Sequence, residues 1–209
     1  MKRIGLFVVI VSALALFPAS PSSSAQEGAP EGSPDMAAMM KEMQERMAEV
    51  TSPGEQHAAM AHLLGDWDVN LKLAMPGVPA QSWPGKATYE WLIEGRWMGL
   101  RIEGQMMGMP FESFSIAGFD VYAKNHVVAT VNNFDTSLTV GRGVVVDPSG
   151  MVTAVYGTLD EYITEEIGKP FKVITRITGD DSHVIEIWDL GIGEAGAIVL
   201  EYAFTRRAS

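Results

Sequence analysis

Apolar and polar side chains alternate strictly in the stretch Gly65-Asp66-Trp67-Asp68-Val69-Asn70-Leu71-Lys72-Leu73. This period of two is typical of a β-strand, in which successive side chains point to opposite faces. Trp67, Val69 and Leu71 therefore share one face, and we predict that this face is buried. The residues before Gly65 follow the period of a helix, so Gly65 marks the start of a sheet.

The same alternation recurs along the rest of the chain, which indicates about ten strands. We predict strands at about 67–73, 86–94, 96–105, 111–121, 126–134, 137–146, 151–159, 169–178, 182–190 and 196–206. The connections are short and rich in turn formers, such as Asp147-Pro148-Ser149-Gly150, so successive strands should be antiparallel neighbours. Closing such a meander removes both exposed edges. The sequence therefore predicts an all-β, up-and-down barrel domain over residues 65–207, with a β-sandwich as the alternative.

Residues 1–25 have the features of a secretory signal peptide. Met1-Lys2-Arg3 is positively charged, residues 4–17 are uncharged and mostly apolar, and Ser23-Ser24-Ala25 supplies small residues for cleavage. A membrane anchor is the alternative, but about 14 helical residues reach only about 21 Å, less than the roughly 30 Å hydrocarbon core. We expect a periplasmic or secreted protein without an integral membrane segment after cleavage.

Two further segments separate the signal peptide from the barrel. Residues 26–34 are rich in Gly, Pro, Glu and Ser, a composition that predicts a flexible linker. Residues 35–64 form a methionine-rich helical segment, because Met36, Met40, Met43 and Met47 recur at helical spacing.

The composition excludes several classes of protein. The 209 residues include 26 acidic and 15 basic side chains, a net charge of −11, and no cysteine. Disulfide scaffolds and thiol chemistry are therefore excluded, and so is nucleic-acid binding, which requires clustered Lys and Arg. The sequence lacks a nucleophile elbow, a dinucleotide loop and a phosphate loop, so an enzyme is not favoured and no catalytic residue is predicted.

A set of segments in fixed order is more specific evidence of a protein family than the alternation of apolar and polar residues. They are His62-Leu63-Leu64-Gly65-Asp66-Trp67, Glu94-Gly95-Arg96-Trp97, Gly104-Gln105-Met106-Met107-Gly108-Met109-Pro110-Phe111-Glu112, Gly118-Phe119-Asp120, Gly168-Lys169-Pro170, His183-Val184-Ile185-Glu186 and Tyr202-Ala203-Phe204-Thr205-Arg206.

The Gly-x-Trp step resembles the first-strand signature of lipocalins, and the whole set resembles DUF1579, a bacterial family of exported lipocalin-like proteins. The resemblance covers about residues 51–207. It implies a calycin-like barrel related to fatty-acid-binding proteins and nitrobindins, without an assigned activity. Where relatives tend to read Trp-x-Asp in the middle strand, this chain has Val131-Asn132-Asn133.

A closed barrel predicts an interior that holds either side chains or one small ligand. We expect Trp97, Met107 and Phe111 to form apolar lining. The expected polar anchors are Arg101, Arg176, His183 and Glu186, and Gly65 and Trp67 are expected to have a structural role in closing the barrel. The alternative for Arg101 is an outward position, because Met98, Leu100 and Ile102 occupy the opposite face of its strand.

The main hypothesis is a barrel that binds a small apolar or amphipathic molecule and has no cofactor. A structural or protein-interaction barrel with a filled core is the alternative. A further alternative is metal or haem binding, with thioethers of the methionine-rich helix and of Met106, Met107 and Met109 holding Cu(I), or His183 holding haem iron. Core packing is the simpler explanation of the methionines, and a hydrogen-bonded histidine that of His183.

Overall fold

The computed structural model describes residues 35–75, 77–147, 149–161, 165–189 and 196–208. The predicted signal peptide (1–25) and linker (26–34) lie outside the described residues. The chain divides into two compact units, Met1–Lys41 and Glu42–Ser209. The described part of the first unit is the start of a helix, and the second unit contains the sheet.

The helical segment contains two α-helices, α1 (Met36–Thr51) and α2 (Glu55–Met60), and a short 3₁₀ helix (Ala61–Leu63). Asp35 caps α1, because its Oδ1 accepts hydrogen bonds from the amides of Ala37 and Ala38. No residue of α1 is buried. The expectation that its methionines pack into a core is therefore wrong for the described residues. None of the described helices has the length and apolar character needed to cross a membrane.

Ten antiparallel strands form a closed barrel in which each strand pairs with its neighbours in sequence. The strands are β1 (Gly65–Met75), β2 (Val78–Ile93), β3 (Trp97–Met106), β4 (Met109–Asp120), β5 (Asn125–Asn132), β6 (Thr139–Val145), β7 (Val152–Glu161), β8 (Glu166–Gly179), β9 (Ser182–Trp188) and β10 (Ile198–Arg206). The barrel closes between β1 and β10, with Trp67 opposite Arg206 and Leu73 opposite Leu200. The predicted up-and-down barrel is confirmed, and the sandwich alternative is excluded.

The main difference from the predicted strands is the start of β2, which lies at Val78 instead of near Lys86. Pro79 and Pro84 argue against a strand, because proline cannot donate a ladder hydrogen bond. In the structure Pro84 nevertheless lies opposite Asn70 in the register of β1 and β2.

Alternating strand directions place the connections at two ends of the barrel. The β3–β4 turn lies at one end, which we call the Met107 end, and the start of β1 lies at the other, which we call the α2 end because α2 and the 3₁₀ helix precede it. Trp67, Val69, Leu71 and Leu73 all point inward from β1 and are at most 5% exposed.

Trp67 closes the α2 end and is held there by Arg206. The guanidinium carbon of Arg206 lies 4.1 Å from the centre of the Trp67 ring, and its Nη atoms donate to the carbonyls of Leu64 (2.8 Å) and His62 (2.5 Å). The indole Nε1 of Trp67 donates to the carbonyl of Leu63 at 2.8 Å. Gly65 has a φ of 111°, a conformation that favours glycine, where the chain enters the barrel. These contacts join the 3₁₀ helix to the first and last strands.

Candidate functional site

A cavity of about 480 Å³ lies inside the barrel. All ten strands contribute to its lining, and Met60 and Leu63 border it at the α2 end. Pockets that bind small molecules typically measure about 300–1,000 Å³. The cavity therefore has the size of a ligand site.

The two sides of the cavity differ in polarity. Aliphatic side chains of β1, β3, β9 and β10 line one side, namely Leu73, Met98, Leu100, Ile102, Met106, Ile185, Ile187 and Leu200. The other side carries the hydroxyl wall, which consists of Ser113, Ser115, Thr130, Thr139, Thr153 and Thr175 on β4 to β8. The hydroxyls of Ser115 and Thr130 are hydrogen-bonded to each other at 2.7 Å. Apolar residues of the same strands, among them Val128, Val155 and Val173, lie between these hydroxyls. The cavity is thus largely apolar, with its hydroxyls concentrated on the side of β4 to β8.

No lysine or arginine is among the described residues that line the cavity, whereas Asp135, Asp160 and Glu161 line it near the Met107 end. Glu161 forms an ion pair with Lys169 at 3.1 Å, and Lys169 also contacts Glu166 at 2.7 Å. These hydrogen bonds raise the pKa of Lys169. The described lining therefore has no cation aimed at a ligand.

His126 is a further titratable residue of the lining, near the α2 end. Burial, followed by the nearby His57, lowers the pKa of His126. The imidazole is therefore neutral at pH 7 and adds no positive charge to the cavity.

Met107 and Phe111 both line the cavity. Met107 lies in the β3–β4 turn with a φ of 53°, followed by Gly108 at 76°. Phe111 packs edge-to-face on Phe134, with ring centres 5.3 Å apart, and its ring centre lies 6.5 Å from that of Tyr202. Phe111 is thus buried in the lining, whereas Met107 borders the cavity from the exposed turn at the Met107 end.

Trp97 and Arg101 lie outside the cavity, so the expectation that they line it is corrected. Arg101 is on the outer face, where its Nη1 lies 2.5 Å from the Glu112 carboxylate and its guanidinium carbon 5.3 Å from the Phe114 ring centre. Trp97 packs over Gly118, where an added Cβ would meet the indole at 2.5 Å. The physical reason is that the aliphatic residues of β3 face inward, so the alternate residues face out.

Arg176 and Glu186 are also absent from the cavity lining, which corrects their predicted role as anchors. They pair with each other at 3.2 Å, and Glu186 accepts a second hydrogen bond from Trp188 Nε1 at 3.1 Å. Ile185 and Ile187 point into the cavity from β9, so Glu186 between them points outward.

His183 points inward but lies beneath Trp67, outside the cavity lining. Its ring is fully buried and stacks on Phe204, with centres 4.2 Å apart. Its Nε2 is 2.8 Å from the hydroxyl of Tyr89, and its Nδ1 is buried without a hydrogen-bond partner among the described residues. Neither nitrogen is accessible to a haem iron. Burial, followed by the charges of His62 and Arg206, lowers the pKa of His183 to about 3.

The buried His183 is expected to make the protein less stable in acid. Its pKa is about 3 in the folded protein and about 6.5 for an ordinary histidine, so the unfolded state binds more protons between these values. The stabilisation from the neutral ring is fully present above pH 6.5. It is lost as the pH falls toward 3, with a slope that approaches about 1.4 kcal/mol per pH unit.

Urea unfolding at a series of pH values measures this slope. In His183→Gln the slope between pH 6.5 and pH 4 should be smaller than in the unmodified protein by about 1 kcal/mol per pH unit, because only the histidine contribution is removed. Identical slopes in the two proteins would contradict a neutral, buried imidazole.

Tyr89, the hydroxyl wall, Tyr202 and Arg206 were not predicted as site residues, although Tyr202 and Arg206 belong to a segment that carries the family resemblance. Tyr202 is separated from Phe204 by one residue, and Ser113 and Ser115 alternate in phase with Phe111. Residues two apart in a strand share a face, so these hydroxyl residues lie on the same face as Phe204 or Phe111. The spacing places them inside the barrel only if that phenylalanine is known to point inward.

The described residues contain no group of three or more His, Asp or Glu side chains placed to hold a metal ion. This finding does not concern the methionine thioethers that were considered as Cu(I) ligands. Met36, Met39, Met40, Met43 and Met47 are all at least 50% exposed on α1. Met106 is buried, whereas Met107 and Met109 are exposed at the β3–β4 turn.

Comparisons with known proteins agree with this architecture. Residues 52–206 match the family described as "Protein of unknown function (DUF1579)". The crystal structure of Rv2717c from M. tuberculosis is similar, with a TM-score of 0.52 and 12% sequence identity over 75% of this chain and 100% of that one. At this identity the similarity concerns the fold alone. No curated protein sequence matches the chain.

Proposed function

Because the chain belongs to the DUF1579 family of proteins of unknown function, its activity has to be inferred from its own residues, and we propose that the barrel binds one small, uncharged, amphipathic molecule in its interior. The observation that carries the proposal is the cavity of about 480 Å³ with an aliphatic side and a hydroxyl wall. We also propose that the protein acts outside the cytoplasm, because residues 1–25 have the features of a signal peptide.

The two sides of the cavity favour a ligand with matching polarity. Aliphatic side chains stabilise an apolar ligand surface by about 25 cal/mol for each Å² removed from water. Hydroxyls that a bound ligand removes from water without giving them a hydrogen-bond partner cost free energy, so the hydroxyl wall favours a ligand with polar atoms along one side. The carboxylates of Asp135 and Asp160 near the Met107 end disfavour an anion there.

A filled, purely structural barrel accounts less well for the same interior. Trp67, Tyr89, His183 and Phe204 pack tightly at the α2 end, while the central volume stays open. Apolar side chains that border an open volume lack the contacts that a filled core would give them, which costs stability. A ligand that fills the volume offsets that cost.

Filling the cavity with a side chain is expected to weaken ligand binding. Ala117 lines the cavity, whereas the adjacent Ile116 is 37% exposed on the outer face. Ala117→Phe should weaken binding of the uncharged dye N-phenylnaphthylamine at least tenfold, because the new ring takes the dye's volume. Ile116→Phe introduces the same ring outside and should bind normally. Fluorescence titration measures both affinities.

Two results would contradict the proposal. If the unmodified protein does not bind this dye or any uncharged amphipathic probe, the cavity is not a ligand site. If Ala117→Phe and Ile116→Phe bind equally well while both remain folded by circular dichroism, the dye binds elsewhere.

A further inference from the structure

Tyr89 and Tyr202 both line the cavity, yet their hydroxyls differ in one respect. The Tyr89 hydroxyl is 2.8 Å from His183 Nε2 and is therefore hydrogen-bonded within the protein. Tyr202 is only 8% exposed. Its described contacts are to rings such as Phe111, and its hydroxyl has no hydrogen bond to any residue that the structure describes.

The hydroxyl of Tyr202 is not among the fully buried unpaired atoms of the described residues, so it is accessible from the cavity. When a bound ligand cuts such a donor off from water without accepting a hydrogen bond from it, the cost is about 1–3 kcal/mol. Burial raises the pKa of Tyr202, so the phenol stays protonated and remains a donor at neutral pH.

Ser113 also carries a hydroxyl without a partner among the described residues. It is the next inward residue on β4 after Phe111, it lines the cavity, and it is 6% exposed. No hydrogen bond to its side chain is found in the part of the chain that the structure describes. Two hydroxyl-bearing residues beside one aromatic ring are thus both available to a ligand.

We propose that Tyr202 donates a hydrogen bond to an uncharged acceptor of the ligand, a carbonyl or ether oxygen, and that Ser113 is the second group that contacts this oxygen. The inference rests on the proposed function and names the polar feature by which the cavity selects its ligand. A donor without a partner is satisfied by such an oxygen, and a hydrocarbon of the same shape leaves it unsatisfied.

A matched pair of probes tests this selection. Acetylnaphthalene carries a carbonyl, and isopropenylnaphthalene has the same shape with a CH₂ group in place of the oxygen. Each is titrated against protein loaded with N-phenylnaphthylamine, and the displacement yields its affinity. Each affinity is divided by the partition coefficient of that probe between an apolar solvent and water. After this correction, the unmodified protein should bind the ketone about tenfold more tightly than the hydrocarbon.

Tyr202→Phe should remove this preference by weakening ketone binding about tenfold while leaving binding of the hydrocarbon unchanged. Adding Ser113→Ala should weaken ketone binding further. The matched control is Tyr156→Phe, because Tyr156 is 56% exposed on the outer face and loses the same hydroxyl. The control should retain the full preference for the ketone.

The outcomes separate this inference from the proposed function. If neither naphthalene nor the dye binds, the proposed function is wrong. If both naphthalenes bind but Tyr202→Phe keeps the preference for the ketone, the proposed function stands and the inference is overturned. Loss of the preference in Tyr89→Phe instead would assign the donor to Tyr89 and would likewise overturn it.

Discussion

Trp67→Ala is expected to lower the free energy of unfolding by about 3–5 kcal/mol, the range for large aromatic side chains removed from a core. Trp67 is fully buried, packs edge-to-face on His183 with ring centres 4.6 Å apart, and lies under the guanidinium of Arg206. Its removal leaves a void at the α2 end and takes the cation–π partner from Arg206. Equilibrium unfolding in urea measures the change.

The matched control is Trp97→Ala, which removes the same side chain from the outer face. Trp97 is half-buried over Gly118, so it leaves a surface depression that water fills instead of an internal void. We expect the loss in Trp97→Ala to be less than half of that in Trp67→Ala. Equal losses would mean that Trp67 does not close the barrel in the way its burial indicates.

The second large effect concerns the charge of the ligand. Methyl decanoate is expected to displace N-phenylnaphthylamine at a concentration at least about 100-fold lower than decanoate does at pH 7. Burying an ionised carboxylate without a paired cation costs several kcal/mol. The described lining holds no lysine or arginine, and Asp160 and Glu161 lie near the Met107 end.

Acidification supplies the control for this experiment. Once decanoate is protonated, near pH 4, it is uncharged like the ester, and the difference between the two should shrink to within about tenfold. Equal affinities at pH 7 would show that the carboxylate does not enter the barrel. That result would contradict the inference that the cavity selects uncharged ligands.

Part of the site could be predicted from the sequence. Met107 and Phe111 were expected in the lining, and the structure places them there. Arg101, Arg176 and Glu186 were chosen because charged residues inside strands look out of place, but they form ion pairs on the outer face. The pair of Arg101 and Glu112 is about half exposed and is ordinary on a solvated face. Glu186 is only 9% exposed and is held by hydrogen bonds from Arg176 and Trp188.

The amino-acid sequence by itself determined the number, order and antiparallel pairing of the strands, and the family. These follow from local properties, since an alternation of period two and a short turn are both visible within a dozen residues. Even the start of β2 was obscured only by a local feature, Pro79 and Pro84.

Only the tertiary structure decided which face of each strand points inward, and with it the lining of the cavity. A period of two defines two faces without showing which of them points into the barrel. The aliphatic face of β3 could have packed outward under the helices, and both faces of β9 carry large apolar residues. Once the sheet closes between β1 and β10, one face of every strand points into the barrel and the other points outward. The role proposed for Tyr202 and Ser113 depends on the tertiary structure in the same way. Whether their hydroxyls find partners among the described residues is decided by neighbours that are far away in sequence.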